Sequence, residues 1–282
     1  MRQFVSGAGL DKDGCLRVGG DDFRYLATVL RLEEGDMLHV RLPSGVLQPM
    51  TVARVDGRSR TLTLSLAGDA ADAVPGGLSA PPAVSAGRFR FHLFQLVPKP
   101  PKMDLIIRQA AECGVSSIIP VAGEFCQKGN VESAAKKSSP SDGRWQKVIT
   151  GALGQSGSPV RTEVLPCRDF DGALSSWKER PGTRMAFVLY ERGEGTLPVH
   201  RAVAGEMGRC FPLKSSPGNA DIAVMVGAEG GISPSEIARA AEAGFVPVHL
   251  QTNILRCETA ALYGLAALQD AVMESDIWKL SE

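Results

Sequence analysis

Two short stretches near the end of the chain hold the residue types that chemistry needs. The first is DIAVMVGAEGG, residues 221–231, in which an apolar run ends at Val226 and passes into Gly227-Ala228-Glu229-Gly230-Gly231. The glycines let a backbone approach a ligand closely, and Glu229 is the only charge among them. A tight turn from strand to helix uses the same residues. The stretch lacks the Gly-Lys-Ser/Thr ending of a phosphate-binding Walker loop and does not fit GxGxxG. The second stretch is HLQTNILRCETA, residues 249–260, which wedges Ile254 and Leu255 into a polar loop and then opens a helix with Arg256, Glu258 and Thr259. Glu258 suits the positive end of a helix dipole. A core helix has no need of Arg256 at that point, so the arginine requires a partner. Glu229 or Glu258 is the plain structural choice.

The elements around these stretches alternate. FRFHLFQLV (89–97), SSIIPV (116–121), MAFVLY (185–190), DIAVMV (221–226) and VPVHL (246–250) read as strands. KMDLIIRQAAEC, SDGRWQKVITGALGQ, SPSEIARAAEAG and ETAALYGLAALQDAVM read as helices between and after them. Gly114 and Gly244 stand where helices should stop, and Ser233, Pro234 and Glu236 form a helix-start signature. Such alternation predicts an open, mostly parallel α/β sheet, whose ligands bind beyond the carboxyl ends of the strands. Upstream, MLHVRLP, LQPMTVARV and RTLTLSL predict short strands of a small barrel with Pro-Ser-Gly and Asp-Gly turns between them. DDFRYLATVLRL predicts one helix, with Asp21 or Asp22 as its N-cap, Phe23, Leu26 and Leu30 on its apolar face, and Arg24 and Arg31 facing outward. Residues 69–87, DAADAVPGGLSAPPAVSAG, are too small and too rich in Pro and Gly to bury a core. The predicted division is a barrel at 1–72, a linker at 73–87 and an α/β domain at 88–282. KGNVESAAKKSSPSDG and GEMGRCFPLKSSPGNA are expected as mobile polar loops.

At 282 residues, 44% hydrophobic and 22% charged, the chain has the size and composition of two globular domains. MRQFVSGAGLDKDG has no apolar leader-like run and no stretch is long enough to span a bilayer, so a soluble cytoplasmic protein is expected. The six cysteines form no CxxC pair and the four histidines are scattered, which removes the sequence signal for a metal site. Net charge is zero, yet residues 88–161 hold 11 basic and 5 acidic side chains. That block hints at a phosphate-facing surface.

GAEGG at 227–231 and LQTNILRCETA at 250–260 resemble the paired signature of the SPOUT methyltransferases, and specifically the RsmE family. That family methylates N3 of a uridine in 16S ribosomal RNA of the small subunit. It shows Gly-Pro-Glu-Gly-Gly, then Leu-Gly-x-x-Ile-Leu-Arg-x-Glu-Thr-Ala. The similarity extends over nearly the whole chain, through MRQFV, YLATVLRLEEGD, LVPKPPKMDLIIRQAAECGVSSIIP and RWQKVITGALGQSG. The resemblance implies a PUA-like RNA-binding β-barrel followed by a SPOUT domain with a deep trefoil knot, acting as a homodimer. It implies S-adenosylmethionine (SAM) as methyl donor, held by Leu189, Tyr190, Val226, Gly227, Glu229, Gly230, Gly231, Leu250, Ile254, Leu255, Arg256 and Thr259. Uridine N3 is protonated at neutral pH, so a cation must stabilise the developing anion, the role expected of Arg256. Glu229 and Glu258 are expected to position Arg256 or to accept a proton. Arg24, Arg31, Lys99, Lys102, Arg108, Arg144 and Lys147 are the expected phosphate contacts, and Trp145 and Phe125 could each stack on a base or be buried.

The chain departs from the family pattern at several positions. Ala228 stands in place of proline, and Gln251-Thr252-Asn253 in place of Gly-Pro-Arg. Phe125 and Ser158 replace arginines, Gln109 a lysine and Gly154 a glutamate. Most of these losses fall where RNA should lie. They motivate two other readings: a SPOUT enzyme acting on a different RNA site, and a non-catalytic paralogue that binds RNA or SAM without turnover.

Overall fold

A computed structural model describes residues 3–67, 88–139, 141–212 and 218–279. The linker expected at 73–87 lies outside the described residues. The chain divides into two compact units, Met1–Val84 with Leu153–Pro159, and Ser85–Ala152 with Val160–Glu282.

The first unit is a five-stranded sheet. Its elements are β1 (Phe4–Val5), β2 (Cys15–Gly19), a helical turn α1 (Gly20–Phe23) that continues as a π-helix over Arg24–Val29, β3 (Met37–Arg41), β4 (Leu47–Asp56) and β5 (Thr61–Leu66). The strand order is β1-β3-β4-β5-β2, with β1 parallel to β3 and the other pairs antiparallel. One face is apolar: Leu16, Val18, Val40, Met50, Val52, Leu62 and Leu64 pack with Phe23 and Leu26. The N-cap is Gly19, not Asp21 or Asp22, which fall instead in the first helical turn. The helix also widens: Leu30 N–H donates to the Tyr25 carbonyl and Leu32 N–H to that of Leu26. Arg31 closes it at φ 56°, a left-handed conformation normally left to Gly or Asn.

The second unit contains β6 (Phe89–Leu96), α2 (Pro100–Glu112), β7 (Ser117–Ala122), α3 (Lys128–Lys137), α4 (Arg144–Ser156), β8 (Glu163–Val164), β9 (Arg168–Asp169), α5 (Phe170–Lys178), β10 (Thr183–Leu189), β11 (Leu197–Pro198), α6 (Val199–Cys210), β12 (Ala220–Val226), α7 (Pro234–Glu242), β13 (Val246–His249) and α8 (Cys257–Lys279). The last turn of α4, from Leu153, groups with the first unit, which a boundary at residue 88 does not anticipate. The sheet runs β11-β13-β10-β12-β6-β7-β8, with β9 beside β7, and every pairing is parallel. Parallel strands need both faces covered. On one face Phe94, Val121, Val188 and Met225 pack with Phe170 and Trp177 of α5, Ala240 of α7 and Phe245. Helices α2, α6 and α8 pack together, α6 against β10 and α8 against β12. All seven residues of β12 are buried.

The two stretches expected as mobile loops are partly helical. Lys128–Lys137 forms α3, although only Ala134 of its residues is buried. Residues 205–210 belong to α6, which buries Ala202, Val203 and Met207. Residues 213–217 lie outside the described residues.

A polar cluster ties the amino ends of β6 and β12. Buried Asp221 accepts from Arg90 Nε at 2.8 Å and Nη2 at 2.9 Å, from His92 Nε2 at 2.8 Å, and pairs with Arg180 Nε at 3.1 Å. Burial pushes His92 below its ordinary pKa, so the ring is neutral. Since a carboxylate only accepts, Nε2 carries the proton and Nδ1 accepts from Ser117 Oγ at 2.7 Å. For Asp221, burial alone would raise the carboxyl, but the bonds from His92, Arg180 and Arg90 outweigh it and hold it well below the carboxylate range. Because the native value is depressed, this stabilisation is complete above the unfolded pKa of about 4 and fades as pH falls through the native value. Asp221→Asn is expected to cost about 3 kcal/mol at pH 7, read as a lower urea midpoint. The gap from wild type should narrow as pH drops below about 4. A pH-independent gap would show that the charge is not responsible.

Candidate active site

Three loops leave the carboxyl ends of neighbouring strands β10, β12 and β13 and enclose one cavity of about 550 Å³. The first loop supplies Leu189, Tyr190 and Glu191, the second Val226 to Ile232, and the third Leu250 with Thr252 to Cys257. Lys102 and Ala260 complete the wall. Eleven of the twelve residues expected to hold a cofactor line this space: Leu189, Tyr190, Val226, Gly227, Glu229, Gly230, Gly231, Leu250, Ile254, Leu255 and Arg256. Thr259 does not; it is exposed on α8.

The second loop is tight. Gly231 N–H donates to the Ala228 carbonyl at 3.0 Å, and Gly231 has φ 75°. A Cβ on Gly227 would lie 2.9 Å from the Gly231 carbonyl carbon, and one on Gly230 2.7 Å from Phe125 Cβ. The following helix α7 is held by the expected capping box: Ser233 Oγ accepts from Glu236 N–H at 3.2 Å, and the Glu236 carboxylate accepts from Ser233 N–H at 3.0 Å. Below the loop, the fully buried amide of Gln95 donates to the carbonyls of Gly227 at 3.1 Å and Leu96 at 2.9 Å.

The charges pair differently from the sequence expectation. Neither Glu229 nor Glu258 holds Arg256 in an ion pair. Both hold Lys102, whose ammonium lies 3.4 Å from Glu229 Oε1 and 3.2 Å from Glu258 Oε2. Burial would lower Lys102, yet its two glutamates outweigh that and raise it. Burial would raise Glu258, but the helix-start amide, the Cys257 thiol and Lys102 together hold it below the ordinary range. Glu258 is therefore an anion and a weak base. Cys257, buried beside these carboxylates, is pushed up to about 12 and stays a thiol that donates to Glu258 at 3.2 Å. Arg256 is exposed and makes no ion pair among the described residues. Ile254 is also bare, at 87% exposure.

The expected phosphate contacts are dispersed. Arg24 and Arg31 are exposed on the first unit. Lys99, Arg108, Arg144 and Lys147 are exposed on the second, with Arg144 bonded to Asp104 at 3.1 Å. Lys102 faces the cavity. Trp145 is buried, its Nε1 donating to Asp104 at 2.8 Å, whereas Phe125 is 47% exposed. Among the described residues no group of three or more His, Cys, Asp and Glu side chains is placed to hold a metal ion, and no helix is long and apolar enough to cross a membrane. Sequence reasoning missed Lys102 as a cavity residue. The available signal was its place in the first turn of the helix after β6, the strand next to β12.

A parallel α/β sheet with a glycine-lined cavity beyond adjacent strand ends defines a small-molecule site of an α/β enzyme. Residues 86–269 match the RNA methyltransferase domain family, and the chain belongs to it. It is 27% identical over 246 residues to ribosomal RNA small subunit methyltransferase E 2 of Borreliella burgdorferi, a match covering 86% of each chain. Among solved structures, a ribosomal RNA small subunit methyltransferase E from Neisseria gonorrhoeae bound to S-adenosyl methionine superposes with TM-score 0.70 at 23% identity, covering 96% of this chain and 97% of that one. A methyltransferase from Legionella pneumophila in complex with the cofactor SAM superposes with TM-score 0.69 at 25% identity, covering 96% and 98%.

Proposed function

We propose that this chain transfers the methyl group of SAM to N3 of a uridine in 16S ribosomal RNA of the small subunit. The observation that carries the proposal is the cavity, in which three strand-end loops meet, glycines expose their backbone, and Arg256 stands at the wall with no ion-pair partner among the described residues. A space of about 550 Å³ suits a nucleoside-sized ligand. Gly227, Gly230 and Gly231 would let the backbone approach SAM, and Leu189, Leu250 and Leu255 supply apolar surface. SAM, when bound, supplies an electrophilic methyl group on a sulfonium. The chain's own residues align the acceptor and stabilise charge. Arg256 sits where it can meet the anion that forms as N3 loses its proton. Glu229 and Glu258, engaged by Lys102, orient the wall rather than act as the base.

In this reading residues 1–72 form a PUA-like barrel that grips RNA through Arg24 and Arg31, 73–87 link it, and 88–282 form a SPOUT domain whose loops after β12 and β13 make the trefoil knot. Lys99, Arg108, Arg144 and Lys147 contact phosphates. The protein works as a homodimer in the cytoplasm, and the bare side chain of Ile254 beside the cavity suits an interface there. The test is methyl transfer from labelled SAM to small subunits that lack the modification, with mass mapping of the product. N3-methyluridine is the expected result. Transfer to another nucleotide would move the target, and SAM binding without any transfer would favour the non-catalytic paralogue.

A further inference from the structure

Glu229 is the only charge of the glycine loop, and its carboxylate is already committed. Its Oε1 accepts the backbone N–H of Lys99 at 3.1 Å. Lys99 is the N-cap of α2, and no side chain from its own segment caps that helix. A carboxylate brought from another loop therefore satisfies a free N–H at the positive end of α2. One turn further along α2, Lys102 reaches back to the same Oε1 at 3.4 Å. Its ammonium also meets Glu258 Oε2 at 3.2 Å, in the first turn of α8, and the Cys257 thiol at 3.8 Å. Three segments far apart in sequence thus converge on one ammonium: the start of α2, the loop after β12 and the start of α8. Lys102 is half-buried, with 27% of its side chain exposed, so water only partly screens the pairs.

We infer that Lys102 is a positioning residue, a cationic staple that fixes the loop after β12 and the start of α8 as opposite walls of the methyl-donor cavity and, by occupying both glutamates, leaves Arg256 free for the substrate. The inference rests on the reading of the cavity as a SAM site. Without the ammonium two carboxylates would stand uncompensated at that wall, and Arg256, which lines the same cavity, is a cation able to answer them. Lys102 would then matter to SAM affinity and to Arg256 at once, although it need not touch RNA.

Three variants separate this role from a general structural one. Lys102→Met keeps the aliphatic stem and removes the charge, Lys102→Ala removes both, and Lys102→Arg restores a cation. Amide hydrogen exchange of the ligand-free proteins is the first readout. Exchange should rise in residues 227–231 and 254–260 of the Met and Ala variants, remain at wild-type level in the core strands β6, β10 and β12, and return towards wild type with Arg. Calorimetric titration with SAM is the second, with Kd for the Met and Ala variants expected to rise about tenfold. Unchanged loop exchange in Lys102→Met, or SAM affinity equal to wild type, would overturn the inference. Raised loop exchange in a protein whose wild type binds no SAM would uphold the staple and discard the cofactor reading.

Discussion

Replacing Arg256 by alanine is expected to lower methyl transfer by about 100- to 1,000-fold, the range seen when a single preorganised charge-stabilising group is lost. SAM affinity should change by less than about threefold, because Arg256 belongs to the transition state rather than the ground state. The structure makes this separation sharp. Arg256 is exposed at the cavity wall and makes no ion pair among the described residues, so its removal strands no buried carboxylate there. The two acids that could have claimed it are held by Lys102. Single-turnover transfer and calorimetric SAM binding measure the two halves independently. Transfer near the wild-type rate in Arg256→Ala would sink the assignment and pass the role to another cation.

The second large effect is expected at Gly227. An alanine Cβ there would lie 2.9 Å, 3.0 Å and 3.2 Å from the carbonyl carbon, Cα and carbonyl oxygen of Gly231. These are backbone atoms in a turn closed by the Gly231-to-Ala228 hydrogen bond and a bridge between the same residues, so no side chain can swing aside. The loop must open, and overpacking of this kind costs about 2 kcal/mol. SAM binding should weaken about 30-fold on that scale. Gly205→Ala is the matched control. It lies in α6 with nothing within 4 Å of a new Cβ, and alanine favours a helix, so its thermal stability and SAM affinity should equal or exceed wild type. Equal SAM affinities for Gly227→Ala and wild type would show that the loop does not form the donor's wall.

Much of the site is written locally in the chain. The strand-to-loop passage at Val226 and Gly227, the helix starts at Ser233 and Cys257, and the apolar pair before Arg256 are each set by neighbours within a few residues. Spacing therefore found both loops. The ion pairs are another matter. Lys102 meets Glu229 and Glu258 across more than a hundred residues, and only the parallel order of β6, β12 and β10 brings them together. For the same reason the sequence offers Glu229 or Glu258 as the partner of Arg256, and gives no sign that Lys102 holds both. Helix α3 was missed because it has almost no apolar face, burying only Ala134. The π-helix at Arg24–Val29 was missed because Phe23 and Leu26 fit an ordinary helix equally well. The grouping of Leu153–Pro159 with the first unit depends on contacts such as the Gln3 side-chain amide to the Leu153 carbonyl at 2.9 Å, which no local pattern announces.

The strand order also sets a schedule for synthesis. Strand β6 pairs on one side with β7, which follows after a single helix, and on the other with β12, whose Ala220 lies opposite Phe89. The first pairing closes over a short loop and can form early. The second must wait until more than 130 further residues have left the ribosome, and β10, made before β12, has no place in the sheet until β12 is available to join it to β6. Pairings of such separation are slow because loop closure precedes the contacts that reward it. A nascent chain of this protein therefore carries the apolar edges of β6 and β10 unpaired through much of its translation. The cavity, which needs β10, β12 and β13 together, is among the last features to exist.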